Sequence, residues 1–298
     1  MDLRDLDYFL ACCETGSFTA AARHAHIVQS AMSSAIARLE RELGVPLFDR
    51  SVTPIVLTEH GAALQAGAQR ILEAVQAARD DVAAVSGQVR GTVTLACTLN
   101  TGTLDLAEML GRVRDRHPGV IVKLRQSSSG SAGNLQSVRD GSVDIALCAS
   151  GGNGHVSDLS RGVVLYDLWS EPMVFVCRSD HALAGRDRVA AAADLREEMI
   201  LRFPPGWGVR AIVDSALGDT QSAFEIIDYT LMMRLVRAGF GTTLVPASAV
   251  AGDRGEGLRA IPFDDPAMRW NLSAAVSADR QLTAATKTLL AALIQGSR

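Results

Sequence analysis

The chain has 298 residues, 48% of them hydrophobic and 21% charged, with a formal net charge of −4 at pH 7. This length suffices for two or three domains, and the mild charge excludes a protein that binds nucleic acid through a uniformly basic surface. The five cysteines show no CxxC or CxxH spacing, so we expect no structural zinc. Because the sequence shows neither an apolar run near the ~20 residues of a membrane span nor a signal peptide, we expect a cytoplasmic protein with reduced thiols and no membrane partner.

The first sixty residues predict three helices and a hairpin. Apolar residues recur at helical spacing over 3–13, and Ser17 is a suitable N-cap for a second helix over 18–25. The third helix covers 28–44, and the alternating residues 45–58 predict a β-hairpin. Helix, short turn and helix is the helix-turn-helix arrangement, and a hairpin in this position is a wing. The apolar stripe of the third helix consists of Met32, Ile36, Leu39 and Leu43.

A long helix is predicted from Thr58 to about Gln88. Thr58 is a suitable N-cap, and Glu59 suits the positive N-terminal end of the helix dipole. Its apolar residues alternate steps of four and three, as in a coiled-coil seam, and this predicts pairing with a second copy of the helix. The seam consists of Leu64, Ala68, Ile71, Val75, Ala78, Val82 and Val85.

From Gly91 onward the sequence alternates strands and helices, which predicts two α/β lobes. The predicted strands of the first lobe are 92–97, 120–126 and 143–148, with helices near 103–116 and 129–140. The predicted strands of the second lobe are 163–169, 173–178, 199–203, 224–228 and 242–246, with helices near 207–217 and 229–239. A strand over 270–276 and a helix over 281–295 return to the first lobe, so two chain crossings would form a hinge.

The first 65 residues closely resemble the N-terminus of LysR-type transcriptional regulators. The matching positions are spread in register over about 60 residues, which makes the resemblance far more specific than an isolated motif. They are Phe9, Gly16-Ser17-Phe18, Ala21-Ala22, Gln29, Ser33, Ile36, Leu39-Glu40, Leu43-Gly44, Leu47-Phe48, Arg50, Leu57-Thr58 and Gly61. Later stretches, "HPGVIVKLRQ", "VRDGSVDIAL" and "LMMRLVRAGFGTTLVP", extend the resemblance over nearly the whole chain.

The resemblance implies a winged helix-turn-helix domain over 1–58 and a dimerising linker helix over 59–88. It also implies an α/β effector domain over 91–298, built from two Rossmann-like lobes as in type 2 periplasmic binding proteins. Lobe I would comprise 91–162 and 267–298, and lobe II would comprise 163–266. The partners that it implies are promoter or operator DNA, a small-molecule effector bound between the lobes, and further copies of the chain in a homotetramer.

The third helix presents small residues and hydroxyl groups on the face opposite its apolar stripe. Gln29 suits pairing with adenine, and Ala31 suits contact with a thymine methyl group. Residues 1–90 contain 8 arginines, no lysine and 11 acids, so their net charge of −3 predicts weak attraction to phosphates and a shallow salt dependence. The residues expected at DNA are Ser17, Thr19, Gln29, Ser30, Ala31, Ser33, Ser34, Arg38, Arg41 and Arg50. The family usually has proline and arginine in place of Ser30 and Ser34, so we expect an unusual operator.

An effector is expected where strands end and helices begin, since ligands of open α/β sheets bind there. By resemblance, Leu99, Asn100, Ser128, Arg202 and Phe203 fall at the family's ligand-contact positions. Arg202 and two positive helix ends would suit a carboxylate-bearing molecule. The full predicted set is Leu99, Asn100, Thr101, Ser128, Ser129, Cys148, Arg202, Phe203, Asp228 and Thr230.

Three alternatives concern function. Cys97 and Cys148 end neighbouring strands, so a redox switch is a second hypothesis, although buried small hydrophobic residues would look the same. A solute-binding protein would use the same two lobes but has no need of the first ninety residues. An enzyme is not expected, because the sequence lacks GxSxG, GxxxxGK[ST] and HExxH motifs. No metal ligand cluster and no cofactor are predicted.

Overall fold

In the computed structural model the chain divides into two compact units, residues 1–85 and 86–298. The structure describes residues 1–85, 88–126, 128–151, 161–188, 192–195, 197–218, 224–263, 265 and 268–296. Across these described stretches, no helix is both long enough and apolar enough to cross a membrane.

The first unit is a winged helix-turn-helix followed by a long helix, as predicted. Its elements are α1 (Leu3–Thr15), α2 (Phe18–His24), α3 (Gln29–Leu43), β1 (Phe48–Asp49), β2 (Val56–Leu57) and α4 (Glu59–Val85). Gly16 and Gly44 end α1 and α3 in the left-handed conformation that favours glycine. The side chains of Ser17 and Thr58 accept hydrogen bonds from the backbone N–H groups of Ala20 and Gly61, which confirms both predicted N-caps.

The first turns of α4 belong to the core of this unit. Ala68 is fully buried, and Leu64 and Leu72 pack against the same cluster as Phe9 and Met32. Exposure along the predicted seam then rises to 36% at Ile71 and 74% at Val82. Only the later part of the seam therefore remains available to a second chain, and the side chain of Val85 lies outside the described residues.

The second unit is a mixed α/β structure whose sheet is shared by two lobes. Its strands are β3 (Arg90–Cys97), β4 (Gly119–Gln126), β5 (Ile145–Gly151), β6 (Val163–Arg178), β7 (Ile200–Leu201), β8 (Thr242–Pro246), β9 (Leu258–Pro262) and β10 (Arg269–Ser277). Its α-helices are α5 (Leu106–Arg116), α6 (Gly130–Asp140), α7 (Gly208–Leu217), α8 (Tyr229–Arg237) and α9 (Ala284–Gly296). Lobe I has the strand order β4-β3-β5-β10-β6, with β3 parallel to β4 and β5. In lobe II the far half of β6 pairs with β8 and β9.

Three strand predictions for lobe II are corrected. The two strands expected over 163–169 and 173–178 are one continuous strand, β6. Pro172 lies where the partner of β6 changes from β10 to β8, so its missing N–H interrupts little of the ladder. The strand expected over 224–228 is reduced to a single bridge between Glu225 and Arg202, and β9 had no prediction. The sequence also predicts a Gly/Ser-rich loop over 149–162, most of which lies outside the described residues.

Candidate DNA-binding and effector sites

The exposed face of α3 carries the predicted DNA contacts. Met32, Ile36 and Leu39 are fully buried, so they fix which face of the helix packs inward. The side chains left accessible near the start of α3 are those of Gln29, Ser30, Ala31, Ser33 and Ser34. Ser17 and Thr19 lie at the first turn of α2, where Thr19 is exposed. The structure thus gathers the predicted small and hydroxyl-bearing residues into the first turns of two helices.

A hydrogen bond within α3 orients Gln29. Its Nε2 atom donates to Ser33 Oγ at 2.9 Å, one helical turn further on. This bond uses one of the two N–H donors of the amide, so the second donor and the carbonyl oxygen stay available for the two-bond contact that glutamine makes with adenine. The Ser33 hydroxyl acts as the acceptor here, so its own proton stays available to another acceptor.

Arg38 is bound by a carboxylate that the sequence analysis missed. Its Nε donates to Asp5 Oδ2 at 3.0 Å, and its Nη2 donates to Asp5 Oδ1. Asp5 is 2% exposed. The hydrogen bond and charge of Asp5 raise the pKa of Arg38. The signal was present in the sequence: Asp5 shares the inward stripe of α1 with Phe9 and Cys12, and an acid in such a position needs a cation.

Arg50 is likewise engaged within the unit. Its Nη2 donates to Glu40 Oε2 at 2.7 Å, and its guanidinium lies 5.0 Å from the centre of the Phe18 ring. The other oxygen of Glu40 accepts from the backbone N–H of Leu47 at 2.9 Å, which ties α3 to the start of the wing. In contrast, the exposed Arg41 has no ion pair or hydrogen bond in the described part of the chain. The three arginines expected at phosphates are therefore not equivalent.

In the second unit, the lobes touch along a backbone seam at the predicted effector site. The backbone N–H of Ala132, in the first turn of α6, donates to the carbonyl oxygen of Gly206 at 3.1 Å. Gly130 has φ +66°, and a Cβ there would lie 2.7 Å from the same oxygen. A Cβ at Gly208 would overlap the carbonyl of Ala149 in the other lobe. Glycine is needed because the two backbones approach so closely.

Arg202 is not placed as the anion anchor that the sequence predicted. Its side chain is fully buried, and its Nη1 donates to Asp214 Oδ1 at 2.5 Å and to the Gly218 carbonyl at 3.4 Å. Asp214 also accepts from Arg210 Nε at 2.6 Å. Because a buried cation requires a partner, Arg202 is a structural element that holds α7 against lobe II. Its neighbour Phe203 is also buried and packs against Tyr229, with ring centres 4.9 Å apart.

A polar clasp joins the lobes on the other side of the cleft. Asn100 Nδ2 of lobe I donates to Ser248 Oγ of lobe II at 3.0 Å. Ser248 donates in turn to both oxygens of Glu171, from its hydroxyl at 2.6 Å and its backbone N–H at 2.8 Å. Asn100 and Glu171 are both buried. Asn100 is thus at the interface of the lobes, as expected, but its partner is protein.

Two indole groups with buried Nε1 atoms lie near this clasp. The Nε1 atoms of Trp169 and Trp270 have no hydrogen-bond partner among the described residues, and Trp270 is 1% exposed. A donor left in this state costs ~1–3 kcal/mol, so the two indoles call for an explanation. Neither tryptophan was identified from the sequence.

The remaining predicted effector residues are dispersed. Leu99 packs against the main core, and Thr101 Oγ1 donates to the Leu104 carbonyl. Ser128 and Ser129 lie exposed at the start of α6. Two further residues, Asp228 and Thr230, are exposed at the start of α8, where Asp228 accepts from the N–H of Leu231. The structure brings only some of the ten residues to the cleft.

The five cysteines are free thiols, and the proposed pair is not formed. Ala96 and Ala146 lie opposite each other in register, so Cys148 shares their face of the sheet and Cys97 lies on the other face. The expectation that these two side chains approach each other is therefore wrong. Burial raises the pKa of the Cys148 thiol to about 12. Cys148 also faces α6, within 3.9 Å of the Ser131 carbonyl, and does not face the cleft.

An open groove of about 570 Å³ lies elsewhere in lobe II. Val250 and Leu258 form part of its apolar lining, and Asp253 and Glu256 add carboxylates. It includes none of the predicted effector residues. Within the described residues, no group of three or more His, Cys, Asp or Glu side chains is placed to hold a metal ion.

Two family models match the chain. Residues 3–62 match the model described as bacterial regulatory helix-turn-helix protein, lysR family. Residues 86–298 match the model described as LysR substrate binding domain. Together the two matches cover most of both units.

Curated relatives match over most of their length. YybE of Bacillus subtilis, named as an uncharacterized HTH-type transcriptional regulator, is 28% identical over 250 residues, which cover 83% of this chain and 82% of the relative. The DNA-binding transcriptional dual regulator OxyR of Escherichia coli is 27% identical over 261 residues, which cover 85% and 82%.

Solved structures show the same fold. A full-length OxyR variant from Pseudomonas aeruginosa has a TM-score of 0.74 at 22% identity and covers 99% of this chain and 98% of its own. Full-length CbnR, described as complexed with its target DNA, has a TM-score of 0.64 at 24% identity and covers 100% and 99%. These likenesses confirm the predicted combination of a helix-turn-helix with a two-lobed binding domain.

Proposed function

The chain belongs to the LysR family of DNA-binding transcriptional regulators, and we propose that it binds its operator through α3 and is gated by a small molecule held between the lobes of its second unit. The exposed face of α3 carries this proposal. There, Gln29 is oriented by Ser33 and flanked by small residues, which lets the helix backbone approach base edges closely.

The contribution of each predicted DNA contact follows from its environment. Gln29 reads a base, while Ala31 and the small residues Ser30 and Ser34 provide a close fit. Hydroxyl groups of Ser17, Thr19 and Ser33 meet phosphates, together with Arg41, which has no ion pair with any residue that the structure describes. Arg38 and Arg50 meet phosphates only by sharing or exchanging their carboxylate partners, Asp5 and Glu40. This arrangement predicts weak non-specific binding and a shallow salt slope.

We assign the DNA-binding domain to 1–58, the linker helix to 59–88 and the effector domain to 91–298. The exposed later part of α4, including Ile71 and Val82, would pair two chains, and two such dimers would form a homotetramer. Each dimer would place two copies of α3 in successive major grooves. Effector binding would change the angle between the lobes and thereby the footprint on DNA.

Peroxide sensing is a second candidate, because relatives of the chain are named hydrogen peroxide-inducible genes activators. The buried, separated thiols of Cys97 and Cys148 do not favour it. A solute-binding role is disfavoured by the helix-turn-helix unit, and the proposal includes no catalytic step.

The test of the DNA assignment is an operator-binding series with Gln29→Ala. We expect a loss of ~1–3 kcal/mol in discrimination at one A·T pair. Gln65→Ala, the same change at an exposed position of α4, is the matched control. Unchanged affinity and sequence preference in the Gln29 variant would show that this residue does not read the operator.

The test of gating is a footprint titration with candidate metabolites. A ligand that alters the affinity for DNA or the length of the footprint supports the proposal. If no small molecule changes either quantity, the gating mechanism is wrong.

A further inference from the structure

The groups expected to attract an anionic effector are already engaged by oxygen atoms of lobe II. Arg202 is bound to Asp214, and the first turn of α6 donates to the Gly206 carbonyl. At the start of α8, the Asp228 carboxylate occupies the N-cap position. An added carboxylate would have to displace one of these oxygens, and two of the three belong to negatively charged groups.

Four buried nitrogen donors have no partner of their own among the described residues, and two of them are the Nε atoms of Arg202 and Arg280, whose guanidinium groups bind through their other nitrogens. The remaining two are uncharged, the indole N–H groups of Trp169 and Trp270. In the register of β10 with β6, Trp270 is opposite Glu171 and Leu272 is opposite Trp169. Directly opposed residues share a face of the sheet, as do alternate residues of one strand. Trp169, Glu171 and Trp270 therefore lie on one face, where the chain crosses between the lobes. A Cβ at Gly102 in lobe I would lie 3.1 Å from the Trp169 Nε1 atom, which places this indole beside the loop after β3.

A buried carboxylate, that of Glu171, lies directly opposite Trp270 in the sheet. Glu171 is buried, and Ser248 donates to both of its oxygens. Arg254 lies on the far side of Ser248, where it donates to the Ser248 carbonyl at 3.3 Å. Burial is the main cause that raises the pKa of Tyr229. The negative charge of Glu171 raises this pKa further, and it outweighs the positive charge of Arg254, which lowers it. An anion placed here would be repelled by Glu171, whereas an uncharged acceptor would not.

We propose that the effector is an uncharged molecule whose amide, ketone or lactone oxygen accepts hydrogen bonds from the indole N–H groups of Trp169 and Trp270. The inference rests on the proposed function and names the chemical class of its effector.

The experiment compares amides with their own carboxylates on the full-length protein. The probes are benzamide against benzoate, phenylacetamide against phenylacetate, and hexanamide against hexanoate, measured by titration calorimetry and tryptophan emission. We expect the amides to bind more tightly in each pair and to change the emission. Equal binding, tighter binding of the carboxylates, or binding of neither class would overturn the proposal.

Three variants separate this role from a structural one. Trp270→Phe keeps the ring but removes the donor, so we expect it to weaken amide binding about five- to tenfold. Trp207→Phe makes the same change at a buried tryptophan whose Nε1 is not among the buried atoms without a partner, and we expect a change of less than about threefold. Glu171→Gln removes the negative charge, so the ratio of amide affinity to carboxylate affinity should decrease. A Trp207 variant as impaired as the Trp270 variant, or an unchanged preference in the Glu171 variant, would contradict the proposal.

The outcomes also distinguish this inference from the proposed function. Carboxylates that bind and shift the DNA footprint would refute an uncharged effector and leave gating intact. Amides that bind without any effect on DNA binding would support the site and refute gating.

Discussion

Three arginines that bind carboxylates, two in the first unit and one in the second, differ in how far their side chains are exposed. The side chains of Arg38 and Arg50 are 56% and 46% exposed, whereas that of Arg202 is 0% exposed. An exposed guanidinium can also reach a phosphate while it binds its carboxylate, but a buried guanidinium is costly to separate from its partner. Arginine–carboxylate pairs in the first unit therefore leave their arginines able to bind DNA, whereas the pair in the second unit stabilises the fold.

The largest effect is expected from Asp214→Asn, which breaks the enclosed pair. The buried Arg202 would lose the carboxylate that its Nη1 binds, so the free energy of unfolding of the second unit should fall by about 3 kcal/mol. All three tryptophans lie in that unit, so tryptophan emission during urea unfolding reports on it alone.

The matched control is Asp115→Asn at the Arg114–Asp115 pair, whose side chains are 77% and 69% exposed. We expect a change of at most ~0.5 kcal/mol there. Equal losses in the two variants would remove the distinction between enclosed and exposed pairs.

Gly208→Ala tests how tightly the two lobes pack along their backbone seam. The added Cβ would overlap the Ala149 carbonyl, so the unfolding free energy should fall by ~1–3 kcal/mol. Gly111→Ala, in α5 with no atom within 4 Å of the new Cβ, is the control and should be neutral or slightly stabilising. A neutral Gly208 variant would mean that the lobes separate at little cost.

The sequence was most informative where structure is decided locally. Ser17 and Thr58 cap helices through atoms three residues away, and Gly16 and Gly44 end helices by their own conformation, so each was predictable from its neighbours. By contrast, two strands were predicted in place of β6 because nothing local shows that Pro172 lies where β6 changes partners.

A smaller effect is expected from Asp5→Asn, which would release the exposed Arg38. One more cation would then be free to meet phosphate, so the plot of log K against log[salt] for non-specific DNA should steepen by ~0.9. Asp7→Asn removes the same charge from an exposed position of α1 without releasing an arginine. Identical slopes in the two variants would show that Arg38 does not bind phosphate even when Asp5 no longer holds it.

The smallest effect is expected from oxidants at neutral pH. Burial raises the pKa of Cys148 and Cys12 to about 12, so both thiols stay protonated and unreactive in the folded chain. Near neutral pH the folded and unfolded states carry the same thiol protons. Above the ordinary thiol pKa of ~8.5 only the unfolded state loses them, so stability should fall as pH rises toward 12. Mass spectrometry after peroxide treatment should find both unmodified, and a peroxide-dependent footprint would contradict this.

The site was less predictable than the fold because its partners are far apart in sequence. Arg202 was recognised as chemically important, but its partner Asp214 reaches it only through the packing of α7. Asn100 and Ser248 are 148 positions apart, and the orphaned indoles follow from the register of β10 with β6. Only the partner of Asp5 could have been sought from the sequence, because an acidic residue on the inward stripe of α1 requires a cation nearby.

The sixteen-residue strand β6 has a mechanical consequence. At ~3.3 Å per residue it is roughly 50 Å long, and it carries partners from lobe I along one half and from lobe II along the other. Such a strand resists stretching and cannot fold over on itself without losing its ladder. Relative rotation of the lobes must therefore be absorbed as torsion along β6 and its partner β10, whose register already shifts between Leu272 and Ser273.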